Sequence, residues 1–272
     1  MQRTTFKKIR FYLKVVLVVY IAGAIALYFL QEKILFHPKK LPPDYRFAFN
    51  SGFKQIDLAI NQAKLLSIVQ FTVPANECKG VVLYFHGNRN NIERYAPYAS
   101  HFTRNDYEVW MMDYPGFGKS TGPRTEEILH EDAARLYQMA RGRFGKDSII
   151  LYGKSLGSGI ASQLASIKDC RRLILETPYY SVDDLMGHYA FMYPARMLSK
   201  YHFPTYQYLE KVEVPVTILH GTGDGIIPFS QSVKLKNKFP AIRLIPIKGG
   251  SHNDLDAFPS FQRSIDSLLN AH

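Results

Sequence analysis

Apolar residues fall along the chain in three textures. The first is a continuous run: residues Phe11 to Leu30 are apolar apart from Lys14 and the tyrosine hydroxyls, and no charge occurs from Val15 to Leu30. About 20 residues rising ~1.5 Å each cross a hydrocarbon layer of roughly 30 Å, so 11–30 is predicted to be a transmembrane helix. The second texture is alternation. Gln55–Ile60 alternates apolar and polar positions, Asn61-Gln62 supplies a turn, and Leu65–Val73 returns, which predicts a hairpin with one face half-buried. The third is a set of short apolar runs: Gly80–Phe85, Tyr107–Met112, Ser148–Tyr152, Arg172–Leu175, Val216–Leu219 and Ile242–Ile247. Such runs suit strands covered on both faces. Between them, Ile128, Leu136 and Met139, then Ile160, Leu164 and Ile167, recur at helical spacing. Strand and helix alternate, which predicts an α/β fold with a mostly parallel sheet and a site beyond the carboxyl ends of its strands.

The flanks of the first run set its orientation. Arg3, Lys7, Lys8, Arg10 and Lys14 stand before or at its start with no acidic residue among them. That bias favours a cytoplasmic N-terminus and puts everything after the helix outside the cytoplasm, in the periplasm if the source is bacterial. Ala22-Gly23-Ala24 and Ala24-Ile25-Ala26 resemble signal cleavage sites, but the apolar run continues past both, so an uncleaved signal anchor is expected. His37-Pro38 and Leu41-Pro42-Pro43 then resist helix and predict a stiff linker. The expected organisation is a basic segment 1–10, an anchor 11–30, a linker 31–46 and a globular domain 47–272.

Charge and cysteine content narrow the chemistry. The net charge is +11, but the basic residues are scattered and no nucleic-acid motif occurs, so a solvated basic surface or an anionic membrane surface accounts for it and nucleic acid is not an expected partner. Cys78 and Cys170 are too few for a disulfide scaffold and lack neighbours at metal-ligand spacing; no metal or organic cofactor is expected. Each precedes a predicted strand, and one strand between those two would separate them by roughly 9–10 Å, so both are expected to be free.

The residues that carry chemistry stand just after strands. Gly153-Lys154-Ser155-Leu156-Gly157 fits G-x-S-x-G between a predicted strand and a predicted helix, the context of a nucleophile held on a tight turn. His86-Gly87-Asn88 ends the strand Gly80–Phe85. Backbone N–H groups of Asn88 and of Leu156 would hold the oxygen that becomes negative during attack, with Arg89 as the alternative to Asn88. Asp224, in Gly221-Thr222-Gly223-Asp224, and His252, in Gly249-Gly250-Ser251-His252, complete the order Ser…Asp…His. The predicted catalytic residues are therefore Ser155, Asp224 and His252. Glu176 is a rival carboxylate at the end of another strand. His86 and Asp113, the latter opening Asp113-Tyr114-Pro115-Gly116-Phe117-Gly118, read as structural loop and turn residues.

With these residues in view the chain resembles the small, membrane-anchored α/β-hydrolase domain proteins that carry a short cap. The matching pieces are Gln31-Glu32-Lys33-Ile34-Leu35-Phe36-His37-Pro38, Phe85-His86-Gly87-Asn88, Asp113 to Ser120, Gly153 to Gly157, Gly221 to Asp224 and Gly250-Ser251-His252-Asn253-Asp254, from residue 31 almost to the end. The resemblance implies an α/β-hydrolase fold with an eight-stranded, mostly parallel sheet whose second strand is antiparallel. It also implies ester or thioester hydrolysis, in a family whose members include protein depalmitoylases and lipid hydrolases. One departure is Arg89-Asn90-Asn91 after the His-Gly-Asn motif, where small residues are usual; an arginine there would either suit an anionic substrate or simply face solvent.

Residues 179–211 are rich in tyrosine and also hold Met186, Phe191, Met192 and Met197. They predict a small cap over the site, apolar enough for an acyl chain or packed simply onto the body. The expected function is serine hydrolysis of an acyl or lipid-like ester or thioester. A peptidase acting on short peptides and a silent, membrane-bound binding module are the alternatives.

Overall fold

The computed structural model describes residues 2–270. The eight predicted strands form one sheet: β1 Phe53–Ala59, β2 Leu65–Phe71, β3 Gly80–Phe85, β4 Tyr107–Met112, β5 Ile149–Lys154, β6 Arg172–Glu176, β7 Val216–Gly221 and β8 Arg243–Ile247. Their order is β8-β7-β6-β5-β3-β4-β2-β1. All neighbours are parallel except β2, which runs antiparallel to both β1 and β4. The apolar texture explains the placement. Strands β3, β4, β5 and β6 are buried at every position, and β1, the alternating one, lies at the edge.

Alternate residues of a strand serve opposite faces. Val81, Leu83 and Phe85 of β3 join a core with helix α2 (Glu126–Arg141) and helix α3 (Leu156–Ala165), while Val82 and Tyr84 join a second core with the C-terminal helix Pro259–Asn270. Leu129, Ala133, Leu136 and Ala140 are the buried stripe of α2, which Thr125 caps by accepting a hydrogen bond from Ile128 N–H. Cys78 and Cys170 are free, and β5 lies between the strands they precede. Burial pushes the Cys170 thiol up to about 12.

The first helix, α1, runs from Gln2 to Leu35, five residues past its predicted end. Nothing in Gln31-Glu32-Lys33-Ile34-Leu35 breaks a helix; the first proline comes at position 38. The segment predicted to be a linker is docked on the body from its first residue. Gln31 is buried, donates to Leu198 O and accepts from Lys200 N–H. Phe36 is buried against Tyr201 and Phe117, and His37–Pro38 forms a short parallel pair with Arg89–Asn90. The stretch Phe6–Leu35 is long and apolar enough to cross a membrane, with a mean hydropathy of 2.3 in its most apolar window and none of that window buried. The cap carries helices α4 (Val182–Tyr189), α5 (Ala195–Leu198) and α6 (Thr205–Leu209), and it touches α1 as well as the body.

Candidate active site

Strand β5 ends at Lys154 and α3 begins at Leu156, leaving Ser155 alone to make the turn, with φ 53° and ψ −119°. That conformation is sparsely populated for a residue with a side chain, and the close packing around it holds it in place. A Cβ on Gly157 would lie 2.0 Å from Phe85 O, and one on Gly153 would lie 2.4 Å from Gly157 O, so both flanking positions exclude a side chain. The sheet ladder reaches the turn itself: Ser155 N–H donates to Glu176 O at 2.9 Å.

Loops after β7 and β8 bring the other two predicted residues to this turn. His252 Nε2 lies 3.0 Å from Ser155 Oγ, and His252 Nδ1 lies 2.7 Å from Asp224 Oδ2. All three are buried. A carboxylate only accepts, so Nδ1 carries the proton and Nε2 faces the hydroxyl as an acceptor. Asp224 Oδ1 is tied down by the N–H groups of Ile226 and Ile227, each at 2.8 Å. Burial would raise the Asp224 pKa, but hydrogen bonds from His220 and His252 outweigh it and hold the carboxyl well below the usual range.

His220 was not picked out from the sequence. Its Nε2 stands 2.9 Å from Ile227 O and 3.3 Å from Asp224 Oδ2, both acceptors, so the proton sits there and Nδ1 accepts from Ser232 Oγ at 2.5 Å. Its place at the end of β7, four residues before Asp224, was the available signal. The rival Glu176 is not at His252. It is buried beneath the turn, accepting from Tyr152 Oη at 2.5 Å and paired with Lys154 Nζ, which also lies over the Tyr98 ring. His86 and Asp113 form a buried brace. Asp113 Oδ1 accepts from Ile92 N–H at 2.9 Å and lies 3.4 Å from His86 Nε2, and the His86 ring stacks on Tyr95.

The N–H groups of Leu156 and Asn88 have no protein acceptor among the described residues. The Asn88 loop is fastened to the end of α1 on both sides: Asn88 Nδ2 donates to Leu35 O at 2.6 Å, and Asn88 O accepts from His37 N–H at 2.9 Å. Above the serine lies a pocket of about 420 Å³. One wall is α1, through Leu27, Gln31, Ile34 and Leu35; another is the cap, through Val182, Leu185 and Met186; no carboxylate lines it. On the other side of Ser155 a polar crevice of about 120 Å³ is lined by His37, Arg89, Arg94 and Lys154, with the Arg89 side chain at its exposed rim. Among the described residues no group of three or more His, Cys, Asp or Glu could hold a metal ion.

The chain resembles known proteins along much of its length. The model of a family described as serine aminopeptidase, S33, matches residues 76–210. Alpha/beta hydrolase domain-containing protein 17C of Xenopus tropicalis is 29% identical over 197 residues, covering 69% of this chain and 61% of that protein; its Homo sapiens counterpart is 28% identical, with 57% of its length covered. The match thus spans about 60% of the length of such relatives. Among solved structures, an esterase of Pyrococcus furiosus aligns with TM-score 0.66 at 17% identity, covering 86% of this chain and 97% of that one. A soluble variant of monoglyceride lipase from Saccharomyces cerevisiae aligns with TM-score 0.62 at 16% identity, covering 84% and 98%. These structural likenesses show a common fold. With the strand order and the strained turn after β5, these likenesses show that the chain has the α/β-hydrolase fold.

Proposed function

We propose that this chain is a serine hydrolase that cleaves carboxylic ester or thioester bonds of acyl substrates through an acyl-enzyme, and that α1 anchors it in a membrane. The observation that carries the proposal is the unbroken relay from Asp224 through His252 to Ser155 Oγ, at 2.7 and 3.0 Å, beneath an apolar pocket.

The steps follow from the geometry. His252 Nε2 takes the Ser155 proton as Oγ attacks the acyl carbonyl carbon, and the charged imidazolium is stabilised by the Asp224 carboxylate. The carbonyl oxygen becomes an oxyanion facing the N–H groups of Leu156 and Asn88. The intermediate collapses, His252 gives its proton to the departing alcohol or thiol, and the acyl group stays on Ser155. Water, deprotonated by His252, then attacks the acyl-enzyme and releases the acid. His220 acts on Asp224, holding the carboxylate whose other oxygen is held by two backbone donors.

The wall residues favour an acyl chain over a peptide. An aminopeptidase must pair a free ammonium, and the pocket at Ser155 offers no carboxylate for it. The basic flank of Lys7, Lys8, Arg10 and Lys14 supports a cytoplasmic N-terminus and an extracytoplasmic catalytic body. Protease digestion of the body in intact cells tests that side.

The test of the chemistry is p-nitrophenyl ester turnover across acyl lengths in detergent, with Ser155→Ala as control. Turnover lost with Ser155→Ala, and fluorophosphonate labelling of the wild type lost with it, is the expected result. Equal turnover by both folded proteins would remove Ser155 from the mechanism. A folded wild type that neither turns over esters nor takes the label would favour a silent binding module.

A further inference from the structure

The cap is fastened to α1 well inside its uncharged stretch. Tyr20 Oη donates to Met192 O at 2.9 Å, and the Tyr20 and Tyr193 rings stack with centroids 4.8 Å apart. A Cβ on Gly23 would lie 2.1 Å from Tyr193 Oη, so the Tyr193 hydroxyl packs directly against the helix backbone there. Tyr20 lies about 22 Å before the end of α1 at ~1.5 Å per residue. If Val15–Leu30 occupies the hydrocarbon of a bilayer, whatever touches Tyr20 and Gly23 occupies it too.

The cap tip is built for that place. Tyr189-Ala190-Phe191-Met192-Tyr193-Pro194-Ala195 has no charge, and Phe191, Met192 and nearby Met197 are 82%, 66% and 83% exposed. The neighbouring cap cation Arg196 lines a polar recess with Asp183 and His202 instead. Lys200, over the Tyr28 ring at 4.7 Å, and exposed Lys33 mark the level at which charge resumes. In water such a tip is an unpartnered apolar patch.

Between the tip and α1 runs a second cleft of about 410 Å³, walled by Gly23, Ala26 and Leu30 on the helix and by Phe191, Met192 and Tyr193 on the cap. Leu27, Ile34, Tyr189 and Ala190 line both this cleft and the pocket at Ser155. The two are therefore consecutive parts of one apolar path. It begins beside the helix at hydrocarbon depth and ends at the nucleophile.

We propose that the cap tip is inserted in the bilayer alongside α1, as deep as the middle of its uncharged stretch, and that the cleft between them is a lateral portal. The acyl chain of a bilayer-resident ester or thioester slides through it from the hydrocarbon to Ser155 without crossing water. The occupant is an acyl chain because most of the side chains lining the path from Gly23 to Leu156 are apolar, and because its outer mouth faces the layer in which acyl chains lie. The released fatty acid returns the same way, while the polar leaving group departs on the crevice side, past Arg89 and Arg94. This inference rests on the hydrolase and anchor assignments above.

The test uses the full chain in proteoliposomes. One substrate is a long-chain fluorogenic monoester dissolved in the bilayer, and the other is p-nitrophenyl acetate in the aqueous phase. Ala26→Trp fills the outer cleft and touches nothing at Ser155. It is expected to slow the bilayer ester at least 10-fold and the acetate less than 2-fold. Equal slowing of both, or of neither, overturns the portal. Loss of both activities in Ser155→Ala supports the hydrolase assignment separately; persistence of both would sink that assignment instead. Tip insertion has its own readout. Phe191→Trp adds a fluorophore to the buried Trp110, the chain's one tryptophan. Lipids brominated along the acyl chain are expected to quench the added emission, and absence of quenching beyond the wild type overturns the insertion.

Discussion

Lys154 and Glu176 offer a direct test of how the ground under the nucleophile is held. Their side chains are 4% and 0% exposed, they are paired with each other, and Glu176 also accepts from Tyr152 Oη. The cluster sits one residue before Ser155 and on the strand whose carbonyl receives Ser155 N–H. Replacing one partner leaves the other as a charge without its counter-ion in a closed space. Lys154→Met strands the carboxylate with one hydroxyl, and Glu176→Gln strands the ammonium over the Tyr98 ring. Each single change is expected to cost about 3–5 kcal/mol. Lys154→Met/Glu176→Gln removes both charges and keeps an acceptor for Tyr152, so it should cost no more than about 2 kcal/mol. The coupling across the cycle is then at least about 4 kcal/mol. Unfolding of the body is followed by Trp110 fluorescence in urea with detergent present. With a slope of about 3 kcal/mol per M for a body of this size, each single variant should lower the midpoint by roughly 1–1.7 M and the double by well under 1 M. Singles that each cost under about 1 kcal/mol, and a double equal to their sum, would refute the view that this pair is a closed buried charge unit.

Other outcomes follow from the same contacts. Asp224→Asn, which turns an acceptor of the His252 proton into a possible donor, should lower kcat by about 10³–10⁴ with little change in KM; ester kinetics check it, and a loss under 10-fold would argue against the tautomer role. Asn88→Ala keeps the backbone donor but frees Leu35 O and loosens the loop, so kcat should fall roughly 10–100-fold by weakening oxyanion stabilisation; unchanged kcat would mean that the tie to α1 is idle. Burial, only partly opposed by Glu127, lowers the His130 pKa to about 4 beside Phe203 and Tyr208. The unfolded chain takes up this proton near pH 6.5 and the folded one does not. Stability should therefore fall as pH drops from about 6.5 to about 4, by at most about 3 kcal/mol, and His130→Leu should flatten that part of the profile in urea titrations. Arg89→Ala should raise KM for esters with an anionic leaving group about 10-fold and leave neutral ones alone; an equal effect on both would assign the arginine to solvent.

What was legible in the sequence and what was not divide along contact range. Continuous apolar runs marked β3 to β6 because burial on both faces leaves no polar position. The turn at Ser155 was legible because two glycines and a strand–helix switch are local requirements. Strand ends moved by one or two residues where pairing decided them. Phe53 joins β1 because Phe71 stands opposite it, and β5 reaches Lys154 because its ladder with β6 runs up to the turn. His220 was harder to see, since its value depends on Asp224 folding back over it. Glu176 looked like a triad acid because its position after a strand is the right one; its partners, Lys154 and Tyr152, come from the adjacent strand and carry no pattern of their own.

The largest difference concerns α1. Hydropathy describes a helix by what it could dissolve in, and from that alone 11–30 is an anchor and the residues beyond it a tether. The contacts give the same helix a second duty. Its last turns wall the pocket, its final carbonyl is held by Asn88, and its middle receives the cap at Gly23. None of these is a hydropathy signal. Leu27 and Ile34 would be equally apolar facing lipid, and Gly23 is one small residue among several. Gln31 is a buried amide in the last turns of the helix, and Leu198 O and Lys200 N–H meet it. A buried amide needs a partner that stays put, because leaving it bare would cost on the order of 1–3 kcal/mol. A helix serving as a bare tether has no use for that residue, and one that must keep a fixed angle to the cap does. The helix and the candidate active site are therefore one mechanical unit. Detaching the body from residues 1–35 would remove a wall of the pocket.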